Sequence, residues 1–187
     1  MSITISSHSA GTHTAASSVN TRPGSADPVR CRRRVVFVKP DCWLVIDDVD
    51  GAADHRIDVN FQFAPDVRIA GGLEPWIRAE TKGGHTLWLL PLASTPIDTV
   101  ICCGELEPPR GWVSAEYGQR QPAPAVTFTA TARLPWRAIT VLVPVAGAST
   151  EPPAVIEVRD AHGRPAGVQL ASTQRSVRVD EESVVVR

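Results

Sequence analysis

The chain has 187 residues, with 19 Lys and Arg against 20 Asp and Glu, a formal net charge of −1 and a pI near 6.5. That length suits one domain, or one domain with a tail, and is enough to bury a sizeable core. The balanced charge excludes a general electrostatic footprint for nucleic acid, and no apolar run is long enough to span a bilayer as a helix.

Residues 1–27 are rich in Ser, Thr, Ala and His and lack hydrophobic periodicity. Such a stretch buries too little surface to offset its ordering entropy and reads as a disordered leader. It has neither a basic n-region nor an apolar h-region, so no signal peptide is readable there. The folded domain is expected over 28–187. Val35–Val38 ends at the turn signal Lys39-Pro40-Asp41. Cys42–Ile46 then runs into Asp47-Asp48-Val49-Asp50-Gly51, read as a polar turn that reverses the chain.

The clearest strand follows, where Ile57, Val59, Phe61 and Phe63 alternate with Arg56, Asp58, Asn60 and Gln62. One face belongs to a core; the other is solvated or lines a cleft. Further strands are expected at Trp76–Glu80, His85–Leu90, Thr99–Cys103, Ala125–Leu134, Trp136–Val145, Val155–Asp160, Gly167–Ala171, Ser176–Asp180 and Ser183–Val186. Gly71-Gly72 and Gly83-Gly84 read as turn glycines. No Pro- and Gly-free stretch of helical period breaks the series. The sequence predicts an all-β chain, an antiparallel β-sandwich.

Chemistry-bearing motifs are few. No nucleophile elbow or nucleotide-binding glycine loop is present, and the five histidines, His8, His13, His55, His85 and His162, lack metal-ligand spacing. No metal and no cofactor is expected on this chain. Cys31, Cys42, Cys102 and Cys103 read as small buried or half-buried residues, the adjacent pair pointing to opposite faces of a strand. Arg30-Cys31-Arg32-Arg33-Arg34 reads as a strand with an exposed basic face, which would also suit an anionic ligand. Trp43 and Trp88 sit in apolar runs and read as core. Trp112 differs, lying in the loop Pro108–Gly118 with Arg110 before it and Tyr117 and Arg120 after. Aromatic and guanidinium groups together on a loop suit sugar stacking and carboxylate pairing, whereas a loop anchored by a packed Trp112 is the plainer alternative.

These segments resemble a known family. Arg33-Arg34-Val35-Val36-Phe37-Val38-Lys39-Pro40-Asp41-Cys42-Trp43-Leu44-Val45-Ile46-Asp47-Asp48 is similar to a segment of heparinase II/III-like proteins. So are Asn60-Phe61-Gln62-Phe63-Ala64-Pro65-Asp66 and Pro109-Arg110-Gly111-Trp112-Val113-Ser114 with Tyr117-Gly118 and Pro122-Ala123-Pro124. The resemblance covers roughly 28–145 and implies a β-sandwich (supersandwich-like) C-terminal domain of a polysaccharide lyase. In that family a helical toroid packs on the sandwich, much of the His, Tyr and Asn machinery comes from the toroid, and metal-binding His and Asp residues lie early in the sandwich. Members are often periplasmic or secreted.

This chain has no toroid, the metal-site segments would fall upstream of Pro28, and Cys31 and Gln62 stand where the resemblance leads one to expect histidine. The expectation is therefore a truncated, C-terminal lyase domain that does not catalyse alone, completed by a separately encoded toroid. Its implied partner is an acidic, uronate-containing polysaccharide, met by Arg110, Trp112, Tyr117 and Arg120. The alternatives are a stand-alone module binding acidic glycans and a structural remnant without ligand.

Overall fold

The computed structural model describes residues 14–15, 28–70, 74–181 and 183–187. In chain order the strands are β1 (Thr14–Ala15), β2 (Arg30–Val38), β3 (Cys42–Asp50), β4 (Asp54–Gln62), β5 (Arg68–Ala70) and β6 (Ile77–Glu80). There follow β7 (Thr86–Ala93), β8 (Asp98–Cys103), β9 (Glu105–Leu106), β10 (Pro109–Arg110), β11 (Trp112–Val113) and β12 (Gln121–Pro122). The last six are β13 (Pro124–Arg133), β14 (Trp136–Val145), β15 (Val155–Arg159), β16 (Pro165–Leu170), β17 (Ser176–Val179) and β18 (Val184–Val186). No helix occurs among the described residues, and the strand pairings are antiparallel. The fold is all-β, with the long strands where hydrophobic alternation places them. Of the segment read as leader, Thr14 and Ala15 pair with Val36 and Val35; the rest lies outside the described residues, as do Gly71-Gly72, His8 and His13.

Three sheets matter. A central sheet of seven strands runs β1-β2-β3-β14-β7-β6-β5, an outer sheet runs β4-β13-β8, and a C-terminal sheet runs β15-β16-β17-β18. The alternation of side chains along a strand gives the central sheet two apolar faces, and each has a cover. Val36, Leu44, Ile46, Trp88, Ile139 and Val141 pack against Val168, Leu170, Val177 and Val179 of the C-terminal sheet. On the other face Val49, Ile77, Leu89, Trp136 and Ala138 meet Val59, Val126, Phe128 and Ala130 of the outer sheet. Each large side chain so buried contributes about 1.5–3 kcal/mol. The inward faces of β4 and β13 are those the alternation of Ile57, Val59 and Phe61 predicts.

Covering both faces of the central sheet corrects three expectations. Arg30–Arg34 is no exposed basic face: Arg33 and Arg34 are buried, and they point to opposite sides of a sheet that is covered on both. Asp47 and Asp48 are not a turn but the buried end of β3, each aligned with arginines. Asp47 takes the Arg33 fork at 2.5 and 2.9 Å on the outer-sheet side, where burial pushes its carboxyl up against the pull of Arg33. Asp48 meets Arg34 at 3.0 Å, Arg137 at 2.5 Å and Arg32 at 3.4 Å on the C-terminal-sheet side. Arg32 and Arg34 also donate to the Glu181 and Asp180 carbonyls, fastening the β17–β18 turn to the central sheet. Trp43, expected in the core, is 39% exposed and stacks flat on Phe37 at 4.1 Å, because the outer sheet stops short of that end of β2 and β3. Trp88 is buried as expected.

The cysteines divide. Cys42 and Cys102 are buried and Cys31 half-buried, but Cys103 is exposed, so the adjacent pair does point to opposite faces while the fourth thiol is not buried. Burial pushes the Cys42 thiol up to about 12, which leaves it a packing group rather than a nucleophile.

Candidate functional site

The outward face of the outer sheet is polar by register. Asn60 lies opposite Thr127 and Asp58 opposite Thr129, and both pairs close side-chain hydrogen bonds: the Thr127 and Thr129 hydroxyls donate to Asn60 Oδ1 and Asp58 Oδ1 at 2.7 Å each. Arg56 pairs with Asp58 at 3.2 Å. Partial burial pushes the Asp58 carboxyl up, but the Thr129 hydroxyl, Arg56 and then Arg110 outweigh it and hold the group below the usual carboxylate range. The field of Arg110 thus reaches the sheet face from the neighbouring loop.

That loop is two short ribbons, β9 with β10 and β11 with β12. Gly111 joins them at φ 70°, and an added Cβ there would lie 2.7 Å from the Cys103 Cα. Its carbonyl accepts the Gly104 and Ala123 amides at 2.8 and 2.9 Å. Only glycine fits both the left-handed backbone and the contact with the end of β8, which explains the residue between Arg110 and Trp112.

Glu105 is the hub of the ribbons. Its carboxylate takes Arg110 Nε at 3.1 Å and Nη2 at 2.8 Å, and its carbonyl accepts Trp112 Nε1 at 2.7 Å. The Arg120 guanidinium lies 4.4 Å from the Trp112 ring centroid, a cation–π contact. Three of the four residues singled out in the sequence therefore stand on one connected unit. The fourth, Tyr117, is fully exposed in the turn 114–119, held by the Ser114 hydroxyl on the Glu116 carbonyl at 2.7 Å. Trp112 is half-buried, so the loop is both anchored by its indole and lined with cations. Sequence reasoning passed over Glu105, Arg56 and Asp58. Their signal was present in the outward alternation of β4 and in an acid five positions before Arg110, but only the ribbon pairing Arg110 with Glu105 brings it together.

A metal finds no cage here. Among the described residues no group of three or more His, Cys, Asp or Glu could hold an ion. Gln62 donates its amide nitrogen to the Pro124 and Ala123 carbonyls at 2.9 and 3.3 Å, a structural strap between β4 and β13. Burial pushes the Cys31 thiol up. The described residues do not fit the metal that the family resemblance implies.

Comparison with solved structures gives the fold. A heparinase III gene product superposes with a TM-score of 0.65 at 18% identity, over 96% of this chain and 26% of its own. The heparan sulfate lyase HepC from Pedobacter heparinus gives 0.62 at 17% identity, over 89% and 28%, and another heparinase III gives 0.64 at 13%, over 98% and 26%. The chain thus spans about a quarter of the length of these structures. No curated protein matches it. The family model described as "Heparinase II/III-like, C-terminal" matches residues 3–158, beginning inside the segment read as leader and extending past Val145. A match over most of the length decides the matter: the chain belongs to the heparinase II/III-like C-terminal family.

Proposed function

We propose that this domain is the sandwich part of a uronate-polysaccharide lyase, and that its share of the work is to hold the acidic glycan rather than to carry out elimination by itself. The observation that carries this is the ribbon unit in which Glu105 fixes both Arg110 and Trp112, with Arg120 stacked on the indole. β-Elimination needs the uronate carboxylate neutralised, a base for the C5 proton and an acid for the leaving oxygen. Arg110 and Arg120 suit the first requirement, since guanidinium forks pair with carboxylate or sulfate oxygens. Tyr117, exposed in the turn between Trp112 and Arg120 in the chain, suits contact with a sugar ring. The base and acid are assigned to a toroid outside this domain. Heparan sulfate, the polymer for which the structural relative HepC is named a lyase, is the first to try.

The test is titration of the chain with heparan sulfate at two salt concentrations, followed through tryptophan emission and, separately, through ultraviolet absorbance of a new C4–C5 double bond. The expected result is salt-sensitive binding that Arg110→Ala and Arg120→Ala each weaken by about 3–10-fold, with no absorbance gain. Loss of one charge-assisted contact at an exposed site is of that size. Binding indifferent to both substitutions removes the glycan role, and elimination by the chain alone removes the division of labour.

A further inference from the structure

The polar face of the outer sheet leads away from the ribbons in ordered rows. A single residue separates β12 from β13 and β8 from β9, so the ribbons join the sheet at the end where Gln62, Ala125 and Cys102 lie abreast. The next outward row is Asn60, Thr127 and Val100, and the one after it Asp58, Thr129 and Asp98. Successive rows on one face of a strand are about 7 Å apart. A chain held at Arg110 and continued along this face therefore meets Asn60 first and Asp58 second.

Asn60 and Asp58 are exposed, but both are oriented by β13. The Thr127 hydroxyl, on a residue only 8% exposed, donates to Asn60 Oδ1 at 2.7 Å. That leaves the Asn60 amide nitrogen with, among the described residues, only the Asp58 carbonyl at 3.5 Å, the outer limit of a hydrogen bond. Thr129 sets Asp58 in the same way, donating to Oδ1 at 2.7 Å. The face thus presents a pre-oriented amide donor and, one row further on, a pre-oriented carboxylate acceptor. A sugar hydroxyl both donates and accepts, so it suits either. A sulfate does not suit the second row, where Asp58 and Asp98 stand against Arg56, itself paired with Asp58 at 3.2 Å.

We propose that Asn60 and Asp58, set by Thr127 and Thr129, form a subsite for an unsulfated sugar next to the one held at Arg110 and Arg120. The inference rests on the glycan reading above and adds to it where along the bound chain sulfate is tolerated: at the ribbons, and not on the sheet face.

The experiment is calorimetric titration of the full chain with heparan sulfate oligosaccharides, and with the same oligosaccharides after removal of their O-sulfates, at low and at physiological salt. Asn60→Ala is expected to weaken binding of the de-O-sulfated ligand by about 3–10-fold, the same factor at both salts, because a hydrogen bond to a neutral group is lost. The loss from Arg110→Ala should instead shrink as salt rises. Asn60→Asp keeps the acceptor for Thr127 but sets a charge against the glycan, and should weaken binding by more than about tenfold. Asp58→Asn should raise affinity for the sulfated ligand more than for the de-O-sulfated one, while Asp160→Asn, on the other side of the central sheet, should not separate the two. Far-ultraviolet circular dichroism should stay that of the parent throughout. Binding by both Asn60 variants within about twofold of the parent, while Arg110→Ala and Arg120→Ala weaken it, overturns the subsite and leaves the glycan reading standing. An Asp58→Asn effect equal on the two ligands overturns the exclusion of sulfate. Absence of binding by the parent overturns the subsite and the glycan reading together.

Discussion

Asp48 accepts from Arg32, Arg34 and Arg137 while only a tenth of its side chain reaches solvent. One carboxylate among three guanidinium groups is a case where the two sides of an ion pair cannot be weighed separately. Burying them is costly, yet removing the anion leaves two nearly buried cations facing one another. Asp48→Asn should therefore destabilise the domain by about 3–5 kcal/mol in urea unfolding. Glu105→Gln, which breaks the pair with Arg110 at 41% and 38% exposure, should cost less than about 1 kcal/mol. Equal losses would mean that the buried cluster relaxes with water. The sequence showed the arginine run and the aspartate pair but not their union. Each run alone reads as surface, and only the antiparallel register that sets Arg33 opposite Asp47 and Arg32 opposite Asp48 joins them, one ion-paired group on each face of the sheet. Trp43 fails to read as exposed for the converse reason, since an apolar run reveals burial potential and not how far the covering sheet extends.

At the scale of elements, long strands were legible because period-two alternation marks β4 and β13 and an apolar run bounded by turn residues marks β14. The short ribbons β9 to β12 were not, since two-residue strands carry no period and form only because Gly111 and Glu105 organise the loop. The β15–β16 turn shows local chemistry of the same kind. Asp160 Oδ1 accepts the His162 and Arg164 amides at 2.9 Å each, and Oδ2 takes Arg164 Nε at 2.9 Å. Partial burial pushes this carboxyl up, but the Arg164 amide and guanidinium and the His162 amide outweigh it and hold it below its ordinary 3.8. A carboxyl lowered by folding contributes stability above its unfolded value, which is lost as pH falls through its folded one. The parent should therefore lose more of its melting temperature between pH 5 and pH 3 than Asp160→Asn does. An identical loss in both would show that the turn is not ordered by the carboxylate.

For the whole molecule, the family match and the physical domain end in different places. The match stops at residue 158, inside β15, yet Val168, Leu170, Val177 and Val179 beyond it complete one of the two cores. The C-terminal sheet is also fastened by polar contacts, from Arg34 to the Asp180 carbonyl at 2.8 Å and from Arg175 to Asp41 at 3.1 Å, and by Arg175 to the Lys39 carbonyl. A chain ending at residue 158 would uncover Val36, Leu44, Ile46, Trp88, Ile139 and Val141, all fully or almost fully buried in the intact domain. At about 1.5–3 kcal/mol for each such side chain the loss is on the order of 10 kcal/mol, comparable with the entire stability of an ordinary domain. It would also leave Arg34 without the carbonyl it meets across the sheet interface, a second cost of about 1–3 kcal/mol. The truncated chain should run as an aggregate on size exclusion and lose the near-ultraviolet circular dichroism of its packed tryptophans, while the full chain stays dispersed and keeps that signal. A soluble, cooperatively melting product within a few degrees of the parent would mean that the C-terminal sheet is an appendage rather than the second cover of the central sheet.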